Sequence, residues 1–420
     1  MSKSRNHNSA GTDWDDDYFS ADFTRRQTLD MFAAGGLMAA LGPLVGAMSS
    51  PAFSATSDDV VRIGYLPITD ATALLVAHGM GFFKEEGLKA ARPTLIRGWS
   101  PLVEGFVAGK FNLVHFLKPI PVWMRYNNKI PVKLMAWAHT NGSGLVVSGH
   151  TGIKDFKQLG GKQVAVPFWY SMHNIVLQYA LRQSGIKPVI KGEGEAVGAN
   201  ECNLQILPPP EMPPALASRK IDAYIVAEPF NALGELKAGA RMLRFTGDIW
   251  KNHPCCVICM HEKTTTEKQE WTQKVMNAVV KAQIYASQNK AEVARLMSKD
   301  GEGYLPMPAK VVVKAMTDYA DDKAYLETGA IKHAGEWGNG RIDFQPWPYP
   351  SATELIVGEM NKTVVGGDTT FLKGLDPAFV AKDLVNYDYV RNALEKYPEW
   401  QKDPSVNAAD PFSRREVLEL

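Results

Sequence analysis

The sequence predicts an α/β protein of two lobes, each built on a doubly wound sheet, with extra helices toward its C-terminal end. Three stretches carry this reading. Within residues 220–260, Ile221, Ala223, Ile225 and Ala227 recur at the two-residue period of a strand, Glu228 and Pro229 stop it, and a helical pattern runs from Phe230 to Ala238. Pro229 suits a first helical turn, where a missing N–H costs nothing, and the Glu228 carboxylate sits where the exposed N–H groups of that helix point. Residues 60–126 repeat the strand, turn and helix pattern, and residues 159–219 start it afresh. In open α/β sheets such junctions are where ligands bind, in a cleft beyond the strand ends.

Taken in order, Val61, Ile63 and Tyr65 alternate as the first strand, Pro67 turns the chain, and Thr69 or Asp70 caps a helix bearing Leu74, Leu75, Ala77 and His78. The unit recurs at residues 95–108, with Gly98-Trp99-Ser100 as its turn, and at 112–126, with Lys118, Pro119 and Pro121. Residues 132–138 and 145–148 are further strands, and the polar stretch His139-Thr140-Asn141-Gly142-Ser143-Gly144 between them suits a crossing between lobes. The next unit has a strand at 163–166, an aromatic turn of Phe168, Trp169 and Tyr170, and a helix capped by Ser171. A strand at 205–207, the rigid turn Pro208-Pro209-Pro210 and a helix ending at Arg219 lead back to residues 220–260, where 253–260 read as another buried strand. Helical patterns follow at 265–298 and 308–319, then a segment rich in Trp and Pro at 344–350. The expected division is residues 60–147 and 251–400 for the first lobe and the C-terminal helices, 148–250 for the second lobe, and 401–420 for a tail.

Composition narrows the class. The chain of 420 residues is 45% apolar and 22% charged, ordinary for a soluble globular protein large enough for two domains. Its 46 Lys and Arg face 45 Asp and Glu, so a formal charge of +1 supplies no field to gather nucleic acid, and none is expected as a partner. At the N-terminus, Thr24-Arg25-Arg26-Gln27-Thr28-Leu29 stands directly before a mildly apolar run at residues 31–48, the pattern of a twin-arginine export signal. Glycines and Pro43 interrupt that run, which falls short of the roughly 20 strongly apolar residues a spanning helix needs. Ala52, Ser54 and Ala55 suit cleavage, so residues 1–55 are expected to leave and the mature protein to be periplasmic.

Several phrases in one order carry a resemblance: Gly64-Tyr65-Leu66-Pro67-Ile68-Thr69-Asp70, Gly81-Phe82-Phe83-Lys84-Glu85-Glu86-Gly87-Leu88, Gly98-Trp99-Ser100, Gly161-Lys162-Gln163-Val164-Ala165-Val166-Pro167, and Ile221-Asp222-Ala223-Tyr224 leading to Glu228-Pro229-Phe230. Over residues 60–260 the chain resembles the nitrate, bicarbonate, sulfonate and taurine binding proteins of ABC importers. It is most similar to the nitrate and bicarbonate branch at Gly98-Trp99-Ser100, Thr140-Asn141-Gly142 and residues 247–254. The resemblance implies a type II periplasmic-binding-protein fold, a small anion held between lobes, delivery to a membrane permease and its ATPase, a monomer, no cofactor and no catalytic residues. It implies a site drawn from Thr69, Asp70, Trp99, Thr140, Asn141, Ser143, His173, Glu228 and Lys251. Trp99 would supply an indole wall and an N–H, His173 a donor, and Lys251 the charge that selects the anion. Ser143 stands where the branch has a glutamine amide, which leaves room for a larger ligand or a water. The aromatic turn at 168–170 agrees with an organic sulfonate, taurine or a thiamine-pyrimidine precursor as the alternative ligand.

His253, Cys255, Cys256 and Cys259 crowd into seven positions and are the metal candidates of the sequence. Twin-arginine export, which moves folded proteins, would suit a preloaded ion. Strand alternation, however, turns Cys255 and Cys259 to one face and Cys256 to the other, so a structural role as small buried hydrophobes is expected. The cluster is also similar to the cysteine run of fungal pyrimidine-precursor enzymes of thiamine synthesis, but Val257 stands where that run has a cysteine. Such an enzyme needs a lysine-bound pyridoxal phosphate, and no lysine here is marked out for it.

Overall fold

The computed structural model describes residues 59–317, 323–336 and 340–420. Residues 1–55, expected as an export signal, lie outside them. No helix among the described residues is long and apolar enough to cross a membrane.

Four strands of the first large sheet come first: β1 (Ile63–Tyr65), β2 (Thr94–Leu95), β3 (Leu113–Leu117) and β4 (Val132–Trp137). Six follow: β5 (Ser143–Ser148), β6 (Lys162–Val166), β7 (Lys187–Val189), β8 (Glu201–Ile206), β9 (Ala223–Ala227) and β10 (Ala240–Phe245). The chain then returns through β11 (Cys256–His261). One sheet has the order β2-β1-β3-β11-β4 and the other β7-β8-β6-β9-β5-β10, which is the expected two-lobe α/β architecture. β3, β5, β9 and β11 are buried along their whole length, as strands covered by helices on both faces must be. β7 was missed from sequence because Pro188 interrupts it; it lies at the sheet edge, where a strand tolerates proline.

The sheets are mixed rather than purely parallel, and the exceptions have one cause. β5 runs antiparallel to β9 and β10, and β11 antiparallel to β3 and β4. Each is the first strand after a crossing between sheets. A chain that leaves one sheet at its carboxyl edge enters the other at the facing edge, so it must run away from the cleft while the strand-to-helix units run toward it. The start of β11 is thereby placed beside the ends of its neighbours, with Cys256 paired to Leu117 and Val257 to Trp137. Ser143–Ser148 accordingly belongs to the second sheet.

Beyond β11 the long helical stretch read from sequence is broken into Glu262–Glu267, Gln269–Gln288 and Lys290–Met297. The middle helix packs on Thr72–Gly79, covering the first sheet. Residues 401–420, expected as a tail, end as a strap along the second crossing. Leu418 bridges Trp250, Glu419 N–H donates to Ile249 O at 2.8 Å, and Trp250 Nε1 donates to Glu416 at 2.8 Å.

Candidate functional site: a buried polar seam between the lobes

The two carboxyl edges meet directly. Thr69, in the turn after β1, donates its N–H and Oγ1 to the carbonyl of Glu228, after β9, at 2.8 and 3.1 Å. Gly142 N–H donates to Arg341 O at 2.7 Å, and Glu228 N–H donates to Gly142 O at 2.9 Å. Gly142 has φ +74°, and a Cβ there would come 2.9 Å from Ile342 Cδ1, so this crossing point needs a glycine.

Along this seam lies a row of buried polar groups. Trp99 opens the helix Trp99–Val107, is 3% exposed, and sets its ring edge against His115 at 5.6 Å between centroids. Its Nε1 has no hydrogen-bond partner among the described residues. His115, inside β3, accepts the Leu66 N–H on Nε2 at 3.0 Å, which assigns its hydrogen to Nδ1, and that atom is likewise unpartnered among the described residues. Burial, then the nearby His139, pushes His115 down to about 3, so it stays neutral. His139, just past β4, brings Nε2 to 2.9 Å from Asp70 Oδ2. Burial alone would lower His139, but the adjacent Asp70 carboxylate outweighs it and pushes it up to about 10. The backbone N–H of Cys256 points at His139 Nε2 at 3.3 Å, and neither Asp70 oxygen has a partner at hydrogen-bond geometry among the described residues.

From the second lobe, Ser143 Oγ stands 2.9 Å from His173 Nε2 and donates toward Cys255 Sγ at 3.6 Å. His173 is the second residue of the helix Met172–Gln183, capped as expected by Ser171, and its Nδ1 is unpartnered among the described residues. Thr246 Oγ1 donates to Ser143 O at 3.0 Å, so it accepts from His253 Nε2 at 2.7 Å and leaves a bare lone pair on His253 Nδ1. Burial holds His253 down at about 4. A buried polar atom without a partner costs about 1–3 kcal/mol, so several on one seam mark a place where something else completes them.

Of the residues named from sequence, Thr69, Asp70, Trp99, Ser143 and His173 stand on this seam. Thr140 and Asn141 are held in backbone structure: they pair with Asp343 and Ile342, Thr140 bridges Pro254, and Asn141 Nδ2 donates to Asn252 at 3.2 Å. Two expectations are corrected. Lys251 pairs with Glu336 and, at 3.6 Å, with Glu419, because its turn is tied to the C-terminal strap. Glu228 is fully buried in an ion pair with Arg341, whose Nε donates to Oε1 at 2.7 Å, while Oε2 accepts the Ala232 N–H at 3.1 Å, so both oxygens are engaged within the fold.

The aromatic turn is also engaged elsewhere. Trp123 stacks on Tyr170 at 5.5 Å and meets Phe168 edge-on at 6.4 Å, so those rings close the lobe interface and do not line the seam. A shallow apolar recess beside them is lined by Pro119, Trp169, Tyr170, Ile175, Met360, Thr363 and Val365, and none of these is a seam residue.

Sequence reasoning missed His115, His139 and Lys118. Lys118 is buried over the Trp137 ring at 5.2 Å, and burial lowers it to about 7. A histidine inside an otherwise apolar five-residue strand was the available signal for His115. The cysteines also differ from expectation. Cys255 precedes β11 and escapes strand alternation, so its thiol joins Cys256, Asp70 and His139 in a group whose ligand atoms all lie within 4.8 Å of one another. Cys259 and His253 are outside that group.

Two mixed α/β sheets joined by two crossings, with their strand ends meeting at a polar seam, form the periplasmic-binding-protein fold. The chain belongs to the NMT1-like family, whose model matches residues 54–299. It is 26% identical over 308 residues to the nitrate/nitrite binding protein NrtA of Nostoc sp., a match covering 66% of this chain and 66% of that protein. It is 27% identical over 289 residues to the bicarbonate transport ATP-binding protein CmpC of Synechococcus elongatus, covering 63% of this chain and 41% of that protein. The chain thus spans just under two thirds of the first relative and about two fifths of the second. The crystal structure of the periplasmic nitrate-binding protein NrtA from Synechocystis superposes with a TM-score of 0.67 at 18% identity, over 86% of this chain and 94% of that one.

Proposed function

We propose that this protein is the extracytoplasmic solute-binding component of an ABC-type importer and that it takes a small anion of the nitrate, nitrite or bicarbonate kind at the interlobe seam, then presents it to a permease and ATPase. The observation that carries the reading is the set of buried N–H donors without partners among the described residues, Trp99 Nε1 and His115 Nδ1 with His139 Nδ1 beside them. Donors with no acceptor of their own suit an anion such as nitrate, which only accepts, or bicarbonate, whose oxygens accept while its one hydroxyl can also donate. The relatives named for nitrate and bicarbonate support the same ligand class. A larger aromatic or sulfonate ligand loses its main support, because Phe168 and Tyr170 are occupied in packing.

A thermal-shift series with nitrate, nitrite, bicarbonate, taurine and alkyl sulfonates tests the reading. The true ligand at 100 times its Kd adds about 2.7 kcal/mol of stability. A rise with sulfonates and none with the inorganic anions would refute the proposed ligand class. Export is tested separately. Changing Arg25 and Arg26 together to lysine is expected to leave precursor in the cytoplasm, and normal periplasmic delivery of that double variant would exclude the twin-arginine route.

A further inference from the structure

We infer that Asp70, His139, Cys255 and Cys256 form a structural zinc site that clips both interlobe crossings to the end of β1. The four ligand atoms lie within 4.8 Å of one another, and all four residues are completely buried. The donor set is one carboxylate, one imidazole and two thiols, a mixture that suits the borderline-soft Zn²⁺ ion and closes a tetrahedron without leaving an open position. Zinc bond lengths of about 2.0 Å to nitrogen and oxygen and 2.3 Å to sulfur put tetrahedral edges at roughly 3.3–3.8 Å, so the widest pair has to close by only about 1 Å.

A second observation points the same way. Asp70 is 0% exposed, yet neither of its oxygens meets a donor at hydrogen-bond geometry among the described residues; the His139 nitrogen is near but poorly aimed. An ionised carboxylate buried without hydrogen bonds is costly, and a divalent cation shared with thiolates removes that cost. The ring Nδ1 of His139 faces away from this contact and stays available to the seam, because coordination at Nε2 leaves the hydrogen on Nδ1. Ser143, from the facing lobe, donates its hydroxyl toward Cys255 Sγ at 3.6 Å, an outer contact of the sort that tunes a ligating sulfur.

The placement explains what the ion would do. His139 lies on the crossing out of the first sheet, Cys255 and Cys256 on the crossing back into it, and Asp70 in the turn after β1. One ion therefore fixes two connections against one strand end, entirely within the first lobe. Binding displaces to solvent whatever protons the ligands carry, and no electron transfer is involved.

The test uses the full mature chain, reduced and stripped with chelator, and titrated with Zn²⁺ and, as a spectroscopic probe, Co²⁺. The expected result is one equivalent bound, a raised melting temperature, and a Co²⁺ spectrum with thiolate charge-transfer and tetrahedral ligand-field bands. Cys256→Ser and Asp70→Asn should weaken uptake by at least about 100-fold, whereas Cys259→Ser and His253→Gln should keep one equivalent. If a variant fails to fold, the wild-type Co²⁺ spectrum decides alone. No stoichiometric uptake, a spectrum without thiolate bands, or equal loss in Cys259→Ser overturns the site. Anion binding is read on the same zinc-free and zinc-loaded samples, so a chain that binds anion but no metal sinks this inference and leaves the proposed function standing.

Discussion

Glu228→Met is expected to cost about 3–5 kcal/mol of stability, because it strands a guanidinium in the interior. Arg341 is 1% exposed and makes its charge-assisted bonds to Glu228; its other polar neighbours stand farther off, Tyr325 at 3.5 Å and Glu235 at 3.7 Å. Without the carboxylate the desolvated cation loses its fully buried counter-ion. Removing both partners avoids the stranded charge, so Glu228→Met with Arg341→Met should lose less than Glu228→Met alone. Urea unfolding followed by circular dichroism measures both. A single-variant loss under about 1 kcal/mol, or a double variant worse than the single, would show that the pair does not act as one buried unit. The effect should reach binding as well, since the Glu228 carbonyl is the acceptor for both Thr69 donors across the lobes.

This pair also shows where reading from sequence stops. Local periodicity located the strand ends, and residues placed by their own strand end, Thr69, Asp70, Trp99, Ser143 and His173, lie on the seam. What local pattern cannot supply is the partner. Glu228 and Arg341 are 113 positions apart, and nothing near Arg341 marks it as the counter-ion of a distant strand end. Lys251 was misplaced for the same reason, because its acidic partners Glu336 and Glu419 arrive from a loop and from the C-terminal strap. The cysteines failed by a single residue of register. Alternation was applied from residue 253, whereas β11 begins at Cys256, which frees Cys255 to turn toward its neighbour. Local pattern shows His139 only as part of a polar crossing, and its approach to 2.9 Å from Asp70 is set by the tertiary fold.

Trp99→Phe is expected to weaken binding of the anion about 10- to 150-fold while changing the unliganded melting temperature little. The indole Nε1 is buried and has no acceptor among the described residues, so its hydrogen is available to a ligand. A hydrogen bond to a charged acceptor contributes about 1.5–3 kcal/mol, which converts to that range of affinity. Phenylalanine keeps an aromatic edge against His115, whose ring lies 5.6 Å away, so most of the wall remains. In the unliganded protein the lost ring volume is partly offset by removing a buried donor that has nothing to bond. Trp99→Ala differs in kind, since it also opens a cavity worth about 3–5 kcal/mol, and should lower both affinity and melting temperature. Calorimetric titration and a melt of each variant separate the two contributions. Unchanged affinity in Trp99→Phe would remove the indole from the ligand's donor set and move the anion away from this end of the seam. Weak binding joined to a large fall in the unliganded melting temperature would instead identify Trp99 as packing, and the donor argument would then have to stand on His115 and His139.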